Sequence, residues 1–439
     1  MTDLVDQSGG SSPSPSGSAD LLGFDPADPG FLVDPYARYH ALRERGPIFR
    51  TPAGLFVLTD HELCGAMLRD PRFGHGPSPI NRVNPGQPVE SFLRMDPPDH
   101  TRLRGLVSRA FTPRMVERLR PRVEAVTAGL IAALPEEGDL VSGFAYPLPV
   151  RVICEMLGVP PEDHERFQGW SETAARSLDP MLTAELISES GRSGREFRDY
   201  FRDLLELRRR QPGDDLLSAL TRVEELTEGE LLATCVLLLV AGHETTVNLI
   251  ANGVLALVRH GLLAYAAERP RQVVEEVLRY DPPVQLTGRV ALRDAELGGT
   301  PVPAGTAVVA LIGAANRDPA VFPDPDHFDP GRSDPGRSDP TRSDPTRSDP
   351  TRSGPGRSGS GRSDAIRSDG AREPGRHLAF GLGIHFCLGA TLARMEGEIA
   401  LSALAAAAPR MELLDPAPPY KPNLVLRGLA RLPVRLNRQ

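Results

Sequence analysis

The run HLAFGLGIHFCLGA (377–390) surrounds one cysteine, Cys387, with Gly381, Gly383 and Gly389. Glycine is needed where a backbone turns tightly or must approach a partner closely. Beyond Gly389 the text becomes Ala/Leu-rich and reads as a helix. Cys387 therefore sits at a helix N-terminus, where free N–H groups and the positive end of the dipole favour thiolate over thiol. A thiolate in a tight glycine loop suits a single axial position on a metal, and haem iron needs one such protein ligand. The remaining cysteines, Cys64, Cys154 and Cys235, occupy apolar helical stripes and read as inert core. The four lie far apart with no CxxC pair, so neither a zinc site nor a disulfide framework follows, and a reducing cytosol is the expected compartment.

A second constellation is AGHETT (241–246), inside the most apolar segment of the chain. Gly242 should weaken the helix locally, and Thr245 can bond back to the carbonyl of Ala241, so the pair is expected to open a groove. Glu244 is a carboxylate in what reads as apolar surroundings, which is costly unless it has a task. Oxygen activation needs protons without bulk water, and a buried acid beside a hydroxyl is a relay for them. Glu276 and Arg279 form an i,i+3 pair that is weak by itself. His100 and Arg104 lie four apart on one helical face, Arg289 lies in the strand-like LTGRVAL, and His385 stands two residues before Cys387. Such cations and imidazoles are what inward-facing carboxylates of a ligand require.

The elements that must carry these groups are mostly helical. Apolar residues at three-to-four spacing predict helices over 61–70, 114–134, 150–158 and 195–210. The segment 229–260 is apolar nearly all round and must run through the middle of the fold. Short β patterns occur at 55–59, 284–310 and 424–436. The expected class is a mostly α, α+β fold: a large helical part with a smaller β-rich region.

The chain has 439 residues and a formal charge of −8, and Lys421 is its only lysine among 50 basic residues. That length can enclose a cofactor, and the acidic balance argues against a nucleic-acid partner. The start of the chain lacks the cationic and apolar regions of a signal peptide. The longest apolar run, 231–242, falls short of a bilayer span and is followed by His243 and Glu244, so no membrane partner is expected. Residues 1–20 are Ser/Gly/Pro-rich and are expected to be disordered. In 333–372 an R-S-D-P-(G/T) unit repeats every five residues; this reads as an expanded, disordered loop, the competing reading being a charged arm that touches a partner protein.

The run Phe380-Gly381-Leu-Gly-Ile-His385-Phe-Cys387-Leu-Gly389 resembles the haem-binding loop of the cytochrome P450 superfamily at every defined position, and the other motifs follow in that family's order. The resemblance covers about 21–332 and 373–439. It implies the cytochrome P450 fold and haem b, with Cys387 as the thiolate that pushes electron density onto the iron and favours O–O cleavage. It also makes Thr245 and Glu244 the oxygen-side hydroxyl and acid. His100, Arg104, Arg289 and His385 become propionate contacts within a cofactor loop that includes Phe380, Gly381 and Gly389. Glu276 and Arg279 become a structural anchor near Asn316-Arg317-Asp318-Pro319. The implied activity is a soluble, cytoplasmic, monomeric monooxygenase. Its electrons would come from a ferredoxin or similar carrier fed by an NAD(P)H reductase, with Arg109 and Arg114 as candidate docking cations.

The expected substrate is a lipophilic natural product, such as a macrolide or other polyketide, as in antibiotic biosynthesis. The candidate pocket residues are Phe92, Leu93, Leu178, Met181, Leu182, Leu238, Val284, Leu286 and Leu424. A peroxygenase or oxidative coupling enzyme would not need the acid–hydroxyl pair, and a non-catalytic haem-binding sensor would need only Cys387 and the propionate contacts. The 333–372 insertion departs from the family pattern, as does the short stretch between the apolar segment and Glu276.

Overall fold

The computed structural model describes residues 22–25, 28–76, 91–179, 183–333 and 377–438. Expectations for 1–20, for nearly all of 333–372 and for Met181 and Leu182 therefore lie outside the described residues.

Helix starts follow local chemistry. Asp60 caps His61–Arg69 through the Leu63 N–H, and Thr112 caps Pro113–Ala133 through the Met115 N–H, with Pro113 in the first turn. Thr227 and Glu230 form a reciprocal capping box at the head of Glu228–Arg259. This 32-residue central helix, about 48 Å long at ~1.5 Å per residue, is long and apolar enough to cross a membrane, but most of its apolar stretch is buried inside the protein. Pro147–Met156, His164–Arg176, Ala184–Arg210, Pro270–Tyr280 and Ala390–Ala407 pack against it directly.

The observed boundaries match the expected helices within a few residues, with one exception. The helix expected over 195–210 begins at Ala184, eleven residues earlier. The segment ISESGRSG has no apolar period, yet Thr183 caps it and Leu186 and Ser190 are buried, so packing carries the helix through a polar stretch.

The β-rich part holds a five-stranded sheet in the order Ile48–Arg50, Phe56–Leu58, Ala307–Leu311, Leu286–Ala291, Phe73–Gly74. Phe56–Leu58 runs parallel to Ala307–Leu311 and the other pairings are antiparallel, with Arg289 opposite Val308. Glu137–Asp139, Pro433–Arg435 and Glu412–Leu413 form a small second sheet. One large apolar core joins the helices, and two smaller ones lie on either side of the five-stranded sheet. The fold is thus mostly helical with a smaller β region, as the sequence predicts.

Candidate active site

The cysteine loop is fixed before its helix begins. The Cys387 N–H donates to the Phe380 carbonyl at 2.9 Å, and Gly381 and Gly383 both take positive φ, 66° and 68°. A Cβ on Gly383 would overlap the Leu68 carbonyl at the end of His61–Arg69, so glycine is required there twice over, by conformation and by contact. Arg104 reaches across from the Asp99–Ala110 helix and donates to the Phe386 carbonyl. Arg394 lies over the Phe380 ring at 4.4 Å.

The Cys387 sulfur faces a cavity of about 470 Å³. Burial pushes its thiol up; the N–H groups of Gly389 and Ala390 and the charges of Arg104 and Arg394 oppose that without cancelling it. The helix N-terminus thus favours the thiolate, as expected, but against the cost of burial; a metal cation held at the sulfur would add to its effect.

The same cavity is lined by Thr245, Gly242 and Ala241 of the central helix, and by Phe92, Leu93, Leu178, Leu238, Val284 and Leu286, as expected. Leu424 is a correction. It packs in the core beside the sheet, while Val425 and Leu426 face the cavity, the latter turned inward by its bridge to Val284.

Thr245 Oγ1 donates to the Ala241 carbonyl at 3.0 Å, as predicted, but the helix runs on unbroken through Gly242. The glycine instead admits Ile153, whose Cδ1 would lie 3.1 Å from a Cβ there. Glu244 corrects a second expectation. It does not line the cavity, and its surroundings are not wholly apolar: its Oε1 pairs with Lys421 Nζ at 2.5 Å.

At one edge of the cavity basic groups converge. The His100 and His385 rings lie 4.3 Å apart, and His75 and His385 lie 4.8 Å apart. Arg104, Arg289, His75 and His385 line the cavity, whereas His100 does not and packs against His385. Burial lowers the imidazoles, His385 to about 3 and His75 to about 2, with Arg289 adding to both. Burial likewise brings Arg289 down to about 10. Among the described residues, both ring nitrogens of His100 and Nε2 of His385 are buried without a hydrogen-bond partner, and the Arg289 side chain bonds to Thr287 and Gly288 of its own strand. Two arginines beside imidazoles with unpartnered ring nitrogens fit two incoming carboxylates.

His75 and Arg94, both on the cavity wall, were not singled out by spacing. His75 follows the Phe73–Gly74 strand and is held by its N–H on the Asp96 carboxylate, at 2.8 Å. No motif announces such a contact between separate loops.

Glu276 and Arg279 are fully buried and joined bidentately at 2.7 and 2.8 Å. Arg279 also donates to the carbonyls of Asn316, Pro325 and His327, and the Asp329 N–H donates to Glu276. The pair binds the meander at 316–329 to the Pro270–Tyr280 helix, as expected of an anchor.

A cytochrome P450 family model matches residues 270–405. The cytochrome P450 monooxygenase PikC of Streptomyces venezuelae is 38% identical, over 93% of this chain and 92% of its own. The 6-deoxyerythronolide B hydroxylase of Saccharopolyspora erythraea is 37% identical, over 93% of this chain and 97% of its own. The crystal structure of CYP164A2 from Mycobacterium smegmatis superposes with a TM-score of 0.78 at 42% identity, covering 93% of this chain and 98% of that one. The chain belongs to the cytochrome P450 family. It is an oxidoreductase that incorporates oxygen from O₂, and its cofactor is haem. A sulfur facing a large, largely apolar cavity with a cationic edge fits that group.

Proposed function

We propose that this P450 hydroxylates or epoxidises a lipophilic natural product of the macrolide or polyketide kind. The hydroxylation balances as R–H + O₂ + 2 e⁻ + 2 H⁺ → R–OH + H₂O. When bound, the haem iron supplies the centre that binds and activates O₂.

The chain's own residues do the rest. Cys387 donates its sulfur to the iron from a loop held by its own N–H and by glycines at 381 and 383. His100, Arg104, Arg289 and His385 hold the propionates, with Phe380, Gly381 and Gly389 completing the cradle. Phe92, Leu238, Val284 and Leu286 form an apolar wall that excludes water and orients the substrate. Thr245 presents a hydroxyl on that wall, and Glu244 one residue earlier supplies protons to it.

The observation that carries the reading is that Cys387 and Thr245, 142 positions apart in sequence, line one apolar cavity. The name of the Saccharopolyspora relative supports a macrolactone-sized substrate.

Electrons enter from a ferredoxin-type carrier reduced by an NAD(P)H reductase. Arg114 is exposed, and Arg109 is exposed with Glu225 3.7 Å away, so both can meet an acidic carrier. We read the protein as a cytosolic monomer.

Two measurements test this. Cys387→Ser should abolish the red-shifted carbon monoxide band of the reduced protein, and a normal band would remove Cys387 as ligand. A surrogate ferredoxin system with labelled O₂ should place one labelled atom in a macrolactone. Labelling of fatty acids or terpenoids alone would overturn the substrate class.

A further inference from the structure

Three buried polar residues, Glu244, Asn248 and Asn252, recur at four-residue spacing on the central helix and so share one face. All three meet a single segment, 420–429. Asn252 Nδ2 donates to the Arg427 carbonyl at 3.2 Å. Gly428 presses so close to Asn248 that a Cβ there would overlap its Oδ1. Lys421 reaches Glu244 at 2.5 Å. The segment is closed on itself by the Tyr420–Leu429 bridge and by the Lys421 N–H on the Gly428 carbonyl at 2.9 Å. The lysine is therefore held to the carboxylate by a docked loop and not by a free side chain.

Lys421 is also placed between solvent and the interior. Its side chain is 20% exposed and that of Glu244 is 4% exposed. Thr245, about 100° further round the helix, lines the cavity, whereas Glu244 does not. Among the described residues, His243 and Tyr146 also lie close to Glu244, and their Nε2 and hydroxyl are buried without hydrogen-bond partners. Among the described residues, the charged group that Glu244 is paired with at this depth is Lys421.

We propose that Lys421 is the positioning residue of the proton relay: its ammonium holds the Glu244 side chain on the solvent side of the central helix, from which a proton taken from water is passed inward to the Thr245 hydroxyl. For each proton that arrives from water one leaves toward the cavity, the Lys421–Glu244 pair is unchanged at the end, and no electrons move in this step. This rests on the reading above that Glu244 and Thr245 deliver protons.

The single lysine makes the pairing directly visible. In carbon-monoxide-bound, reduced holoenzyme grown with ¹⁵Nζ-lysine, one side-chain ammonium signal is expected, protected from exchange and displaced in Glu244→Gln. An unchanged, fast-exchanging signal in that variant would overturn the pairing. O₂ consumption by the substrate-free enzyme, O₂ + 2 e⁻ + 2 H⁺ → H₂O₂, with saturating surrogate ferredoxin tests the role. Lys421→Met should slow it at least threefold and raise its solvent deuterium isotope effect, with haem content unchanged, and Lys421→Arg should restore both. If Glu244→Gln slows consumption and Lys421→Met does not, the lysine has no part in delivery and the proposal fails alone. If neither variant slows it while the ammonium signal still reports the pair, the relay reading itself fails.

Discussion

Replacing Glu276 by alanine strips Arg279 of its two charged bonds inside the protein. The Arg279 side chain is 3% exposed and that of Glu276 is 2%, so no water replaces the lost carboxylate. Breaking a buried pair from one side costs about 3–5 kcal/mol, because it leaves an uncompensated charge. Arg279 keeps its three carbonyl acceptors, which places Glu276→Ala toward the lower end. Arg279→Ala loses more: it frees those carbonyls as well, at about 1–3 kcal/mol for each left unsatisfied.

At about 2.1 cal/mol/K per residue, a chain of this size has an unfolding entropy near 0.9 kcal/mol/K, so a loss of about 4 kcal/mol lowers Tm by about 4 °C. The assay is thermal unfolding at a fixed scan rate, with haem content measured on the same samples. The expected order is wild type, then Glu276→Ala, then Arg279→Ala, with the double variant less damaged than the sum of the two. A Glu276→Ala protein with full haem and a Tm within about 1 °C of wild type would refute the reasoning from buried charge.

Thr245→Ala should keep its haem yet divert electrons to peroxide, cutting product per NAD(P)H several-fold; unchanged coupling would remove Thr245 from the relay. Gly383→Ala must adopt positive φ and push against Leu68, which should cost about 2–4 kcal/mol and show as lower haem retention and Tm; a wild-type Tm would mean the loop relaxes freely. Glu396 is buried and one of its oxygens has no partner, and burial raises its carboxyl to about 8. Its folded pKa lies above the unfolded value, so its contribution is intact below pH ~4.5 and is lost as pH rises through about 8. Glu396→Gln should therefore flatten the fall in Tm between pH 5 and pH 9, recovering on the order of 3–5 kcal/mol at the alkaline end; parallel wild-type and variant curves would argue against a protonated carboxyl.

The chemistry that depends on neighbours in sequence could be read from the sequence. The glycines around Cys387, the helix after it, the Thr245 bond to Ala241 and the Glu276–Arg279 pair all lie within a few residues of their partners, where backbone geometry fixes the outcome. The apolar girth of 229–260 likewise required a central helix, because no other position buries every face. What crosses long separations was decided by packing alone. Lys421 meets Glu244 across 177 residues, His75 meets His385 across 310, and Leu426 takes the cavity position that Leu424 was expected to hold. Sequence pattern reports which groups can react; desolvation and charge, which set whether the Cys387 sulfur is a thiolate and where Glu244 points, come from residues that only the folded chain brings within reach.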